Sequence, residues 1–281
     1  MAFQTLISTA VLASRIRDSA FAIVDCRFKL DDTAWGEREW AAAHIPGAAY
    51  ASLDRDLSSA RTGTNGRHPL PDARALAATL GRFGITGGVQ VVAYDQNNGM
   101  FASRLWWLLR WLGHDAVAVL DGGIAKWIAE GRETKSGQQQ RGAAAFTGSA
   151  RADMLVDVSG VAALSGRTDW RLVDARAPER FRGDVEPLDR VAGHIPGAVN
   201  HFFQGNLDEQ GTFQPPDVLR GQWSASLGNV PADHAVCYCG SGVTACHNLL
   251  ALEHAGLKGA KLYPGSWSEW SADEKRPVAK G

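Results

Sequence analysis

The sequence predicts an α/β fold built as two tandem domains, each a mainly parallel sheet with helices on both faces. Three observations carry that prediction. Val24-Asp-Cys-Arg27 is followed by His44-Ile-Pro-Gly-Ala48, and Val173-Asp-Ala-Arg176 by His194-Ile-Pro-Gly-Ala198, at nearly the same spacing. Such self-similarity marks a duplicated unit. Within each copy, short apolar runs alternate with helical patterns, the signature of parallel strands joined by crossover helices. The length of 281 residues allows two medium domains, each able to bury its own core.

The elements follow in chain order. In the first copy a helical period runs from Ala73 to Phe83, an apolar strand from Val89 to Tyr94, a second helix from Phe101 to Leu112 and a strand from Ala116 to Leu120. Trp106, Trp107 and Trp111 fall at spacings that suit one helix face and read as core packing. Residues 134–149, rich in Gly, Ser, Gln and Ala without apolar period, read as a connection. The domains are therefore placed at 1–138 and 151–281, with a linker at 139–150. In the second copy the apolar run Ala235-Val-Cys-Tyr-Cys239 meets the bend Gly240-Ser-Gly242, and a helical pattern follows from Ala245 to His254. The first copy has Val91-Val-Ala-Tyr-Asp95 before Gln-Asn-Asn-Gly at the same place. Each helix is followed by another strand and a glycine turn, Leu120-Asp-Gly-Gly123 or Leu262-Tyr-Pro-Gly265, then by tryptophan (Trp127; Trp267 and Trp270).

Composition excludes several classes. A hydrophobic fraction of 45% with 21% charged residues is that of a soluble globular protein. Lys and Arg (29) balance Asp and Glu (30), so no global field favours nucleic acid or a lipid surface. No stretch approaches a membrane span, and the N-terminus lacks a basic start before a long apolar core. Four clustered cysteines are too few for a disulfide framework, and free thiols in the cytoplasm are the simpler reading.

In parallel sheets, ligands collect at the C-terminal strand ends, where Cys239 and Asp95 stand. Backbone N–H groups of a strand-to-helix bend converge on its centre, and the start of the following helix adds positive potential. Both stabilise negative charge on the Cys239 sulfur. Cys26 and Cys237 lie in apolar patterns and read as core residues. Cys237, Cys239, Cys246 and His247 do not form a recognisable zinc knuckle, and no metal is expected. A cysteine phosphatase needs a clamping arginine just after the nucleophile, and Gly-Ser-Gly-Val-Thr-Ala245 carries no cation. Protease-like acyl transfer needs a histidine base beside the thiol, which sequence alone does not place. Sulfur transfer requires only a thiolate and a donor-lined cradle that holds a persulfide. A non-catalytic carrier or binding module is disfavoured, because the second copy keeps the cysteine loop that the first has lost.

Paired domains with His-Ile-Pro-Gly-Ala, together with Cys239-Gly-Ser-Gly-Val-Thr-Ala245, resemble the tandem-domain sulfurtransferases of the rhodanese superfamily over nearly the whole chain. The uncharged loop is similar to the branch using 3-mercaptopyruvate, whereas thiosulfate-using members carry cations there; thiosulfate remains the alternative donor. The resemblance implies Cys239 as the sulfur-carrying nucleophile and Gly240, Gly242, Val243 and Thr244 of its loop as substrate-binding residues. It implies Arg180 as clamp for a donor carboxylate, Arg190 as a second, weaker clamp, and Asp54, His68 and Ser241 as a proton relay. Asp95 stands in the nucleophile's place, so the first domain is expected to be catalytically silent. Asp25, His44, Asp174 and His194 recur in both copies and read as structural. The implied partners are a small sulfur donor and a thiol, cyanide or thioredoxin-like dithiol acceptor, without organic cofactor.

Overall fold

The computed structural model describes residues 2–138 and 141–281; Gln139 and Gln140, where the expected linker begins, lie outside the described residues. The chain forms two compact units: one of residues 1–59, 71–151 and 209–213, the other of 60–70, 152–208 and 214–281.

The first unit runs β1 (Leu6–Ile7), α1 (Thr9–Arg15), β2 (Phe21–Asp25), α2 (Trp35–Ala42), β3 (Ala49–Tyr50), α3 (Ala73–Arg82), β4 (Gln90–Tyr94), α4 (Ala102–Trp111), β5 (Val117–Leu120) and α5 (Gly123–Ala129). Among the described residues its strands form one all-parallel sheet, ordered β1-β5-β4-β2-β3. Every residue of β4 is buried, as expected of a strand covered on both faces. Alternate strand residues Ile23, Val92, Tyr94, Ala118 and Leu120 pack with Leu12, Ile45, Ile124 and Trp127 in one core. The tryptophans of α4 are core: Trp106, Trp107 and Trp111 are all buried, and Trp106 Nε1 donates to the Gln4 carbonyl at 2.8 Å. Asp72 starts α3 by accepting from the N–H groups of Arg74 and Ala75.

The second unit repeats the plan with α6 (Val158–Leu164), β6 (Arg171–Asp174), α7 (Pro178–Arg182), β7 (Val199–Asn200), α8 (Pro216–Leu227), β8 (Ala235–Tyr238), α9 (Thr244–His254), β9 (Lys261–Leu262) and α10 (Ser266–Trp270). Its parallel sheet is ordered β7-β6-β8-β9. Leu172, Val236, Tyr238 and Tyr263 pack with Val161, Ile195, Trp267 and Trp270.

The recurring motif residues hold the strand ends in both units. Asp25 accepts from the backbone N–H and guanidinium of Arg27, and Asp174 from those of Arg176. Each arginine also caps a distant carbonyl, Ala43 or Gly193. Tyr94 and Tyr238, at the ends of the neighbouring strands, accept from the N–H of Ile45 and Ile195. His44 and His194 turn Nδ1 to the carbonyls of Trp40 and Phe181. These side chains brace the turns on which the bends rest.

Candidate active site

β8 ends at Tyr238, and Cys239 follows at the mouth of the bend, with 2% of its surface exposed. Its Sγ accepts from the backbone N–H of Gly242 at 3.1 Å and of Ser241 at 3.4 Å. Such converging donors favour an anion at the sulfur. Gly242 adopts φ +77°, and a Cβ there would stand 2.4 Å from the Pro264 carbonyl oxygen, so the bend admits no side chain at this position. The turn 263–268 braces it from behind: Cys239 N–H donates to Ser266 Oγ, whose hydroxyl donates to the Tyr263 carbonyl, while the N–H groups of Trp267 and Ser268 donate to the carbonyls of Cys239 and Gly240. Ser266 is the one non-glycine with positive φ (55°) among the described residues. A strained backbone held by four such hydrogen bonds is a mark of a site whose geometry is over-determined.

Residues 60–70 pack into this second unit and bring two side chains to the bend. His68 is 2% exposed, and its Nδ1 shares a 2.7 Å hydrogen bond with Ser241 Oγ. Arg67 N–H donates to Ser268 Oγ at 3.0 Å. Gly66 (φ +85°) approaches Gly265 so closely that a Cβ would lie 2.8 Å from its carbonyl oxygen. The segment is thus pinned on both sides of Arg67.

Two guanidinium groups cover Gly240. A Cβ at that glycine would lie 2.7 Å from Nη2 of Arg67 and 3.6 and 3.7 Å from Nη2 and Nη1 of Arg180. Arg180 is held by Glu186, with Nη2 to Oε1 at 2.6 Å, and Glu186 in turn receives Arg176 at 3.1 Å. Burial pushes the Glu186 carboxyl up, but Arg180 and Arg176 outweigh it and hold the group below its ordinary value. Asp189 pairs with Arg67 and stands 3.5 Å from Arg180. Here burial wins, and the Asp189 carboxyl is raised despite both cations. The Asp–Arg pair that only braces a turn in the first unit therefore becomes, in the second, one end of a chain Asp174–Arg176–Glu186–Arg180–Asp189–Arg67 that leads to the bend.

The first unit holds an anion in its own bend. Asp95 is buried; its Oδ1 accepts from the N–H of Asn97 and Gly99, and its Oδ2 from Phe101 and Ala102, at 2.8–3.2 Å. Burial still raises its carboxyl above the ordinary value, against the pull of these four donors. The same strand-to-helix bend thus seats a fixed carboxylate in one copy and a sulfur in the other.

Of the residues singled out in the sequence, Cys239, Gly240, Ser241, Gly242, Val243 and Thr244 form the bend and the start of α9, His68 bonds Ser241, and Arg180 faces Gly240. Arg190 does not join them: it is 62% exposed and ion-paired with Glu274 at 2.8 Å. It lines a surface cavity of about 430 Å³ shared with Arg67 and Asp189. Asp54 belongs to the first unit, half-buried in the turn after β3. Sequence reasoning passed over Arg67, Glu186, Asp189 and Ser266. Arg67 adjoins His68 in a turn-rich loop, but nothing in its spacing tells it from a solvated arginine. Among the described residues no group of His, Cys, Asp and Glu side chains is arranged to hold a metal, and no helix is long and apolar enough to cross a membrane.

Fold and site together define a duplicated α/β protein with a cysteine cradle in one copy and a carboxylate in the other. The rhodanese-like domain profile matches residues 8–130 and again 157–273, and the chain belongs to the rhodanese family. A "Probable 3-mercaptopyruvate sulfurtransferase" of Pseudomonas aeruginosa is 48% identical, with all of both chains covered. A thiosulfate sulfurtransferase of Cricetulus griseus is 31% identical over 95% of this chain and 92% of its own. Among solved structures, the 3-mercaptopyruvate sulfurtransferase from Leishmania major superposes with a TM-score of 0.86 at 29% identity, covering 98% of this chain and 76% of the other.

Proposed function

We propose that this sulfurtransferase takes its sulfur from 3-mercaptopyruvate and passes it, as a Cys239 persulfide, to a thiol or cyanide acceptor. The observation that carries the reading is the Cys239 sulfur seated on two backbone N–H donors beside the Ser241–His68 pair and the Arg180 guanidinium. The Cys239 thiolate attacks the donor sulfur, a sulfur–sulfur bond forms, and the carbon–sulfur bond breaks with its electron pair going to carbon. The leaving group is the enolate of pyruvate, which takes up the proton that the donor thiol gives up, relayed through Ser241 and His68. The N–H groups that hold the thiolate then hold the outer persulfide sulfur. Attack by an acceptor thiolate or cyanide on that sulfur returns Cys239 as thiolate; a thioredoxin-like dithiol protein suits this step. Four free, buried cysteines fit a reducing cytoplasm.

A second reading has its own support. Arg67 and Arg180 bring to Gly240 the positive charge that the loop itself lacks, and such charge suits thiosulfate, a dianion. Steady-state kinetics with each donor separates the two: higher kcat/KM with 3-mercaptopyruvate is expected, and a preference for thiosulfate would sink the first reading. Mass spectrometry after donor treatment should find one added sulfur on the Cys239 peptide and none in Cys239→Ser. Turnover by that variant would overturn the assignment under either donor.

A further inference from the structure

We propose that Arg67, together with Arg180, seats the anionic group of the sulfur donor over Gly240, and that the buried Asp189 carboxylate is the internal counter-ion with which the donor competes. The inference deepens the sulfurtransferase reading and rests on it.

Four observations support it. First, both guanidinium groups converge on one glycine, the residue between the reactive sulfur and Ser241. Second, Arg67 Nη2 and Arg180 Nη1 face Gly240 and make no hydrogen bond to the described residues; Arg67 Nη1 is taken by Asp189, and Arg180 Nη2, which also faces Gly240, is taken by Glu186. Donors held in place by carboxylates behind them, with nitrogens left over in front, make a preorganised anion seat. Third, Arg67 is not a free surface arm: its side chain is 22% exposed and its backbone is pinned through Ser268 and the Gly66–Gly265 approach. Fourth, Asp189 is 6% exposed and its Oδ2 has no hydrogen-bond partner among the described residues, although Arg180 stands 3.5 Å away. A buried carboxylate oxygen left without a bond marks a position where charge balance is provisional. An incoming carboxylate or sulfonate draws the guanidinium forks forward at the expense of Asp189. A cavity of about 430 Å³ lined by Arg67, Asp189, Arg190 and Ser268 lies beside this pair. Arg67 therefore takes the part that the resemblance implied for Arg190, and Asp189 acts as a positioning residue.

The test compares 3-mercaptopyruvate with mercaptoacetone, which offers the same sulfur and carbonyl but no carboxylate, and with thiosulfate, which offers a sulfonate. In Arg67→Ala the preference for the anionic donor over mercaptoacetone, as a ratio of kcat/KM values, should fall about tenfold, and Arg67→Lys should recover only part because an ammonium cannot bridge two oxygens. Asp189→Asn should lower KM for the anionic donors about threefold with little change in kcat, the mark of altered binding and not of altered chemistry. Whether 3-mercaptopyruvate or thiosulfate loses more in Arg67→Ala tells which anion the seat fits. An unchanged ratio, or equal losses with mercaptoacetone and the anionic donors, overturns the proposal. Calorimetric titration of pyruvate into Cys239→Ser, with and without Arg67→Ala, reads the seat without turnover. Weaker binding on loss of Arg67 supports the seat even if no donor yields a persulfide, a result that would sink only the underlying reading; equal binding overturns the seat itself.

Discussion

Charge at single residues decides what the second unit's bend can hold. Arg176 has 1% of its side chain exposed and meets three demands at once: it pairs with Asp174, reaches Glu186, and lies 4.9 Å over the Trp267 ring. Removing one member of such a buried set leaves an uncompensated charge, so Asp174→Asn should lower stability by about 3 kcal/mol. Urea denaturation measures it, and a loss below about 1 kcal/mol, the range of exposed pairs, would show that Arg176 finds solvent or another partner. Asp25 makes the same bonds in a unit whose bend holds no sulfur. His44 and His194 likewise turn Nδ1 to a backbone carbonyl in both copies.

At the scale of the element, the strand-to-helix bend is a cradle for negative charge whatever atom supplies it. Asp95 and Cys239 both follow a buried strand, and both accept from the backbone of the residues that lead into the next helix. The carboxylate uses two oxygens and four donors, and the longer first bend accommodates them. Asp95→Asn replaces one acceptor oxygen with an amide that presents hydrogens to N–H groups, and should cost about 2 kcal/mol. Chemical denaturation reads that cost, while Cys239 should still take up sulfur. If the variant unfolds no more easily than the parent, the carboxylate is not what organises the bend; if it loses sulfur uptake, the first unit is not silent.

For the molecule as a whole, each unit carries its own core, and stability against pH depends on histidines buried as neutral rings. In the second unit His201 stacks on Trp223 at 3.8 Å, with one ring nitrogen 2.8 Å from Ser226 Oγ and the other 3.1 Å from Asn206 Oδ1. Burial lowers its pKa below the usual 6.5, only partly offset by the Asn206 bond. The unfolded chain then binds the proton more readily than the folded one. Stability from this group is full above pH 6.5 and is lost as pH falls from there toward the lowered folded value. His114 is shifted the same way by burial. The melting temperature, followed from pH 7.5 to 5, should therefore decline less steeply in His201→Gln than in the parent. Parallel curves would mean that His201 titrates alike in both states.

Periodicity and repetition were enough to determine the class of fold, its duplication, and the strand and helix around each bend, because these depend on local alternation of apolar residues that recurs in both halves. α3 and α4, expected from Ala73 to Phe83 and Phe101 to Leu112, occupy Ala73–Arg82 and Ala102–Trp111. Cys239 was legible for the same reason, since a cysteine between a buried run and two glycines is a local pattern. The Arg67–Arg180 pair, the Asp189 and Glu186 carboxylates behind it, the Ser266 brace and the withdrawal of Arg190 to Glu274 were decided only by the tertiary structure. Arg67 and Ser266 are far in the chain from Arg180, Glu186 and Asp189, and all of them sit in loops or at short helices without a sustained period. An arginine's role is set by which buried carboxylate it meets, and that partner is chosen by the packing of loops and not by its neighbours in sequence.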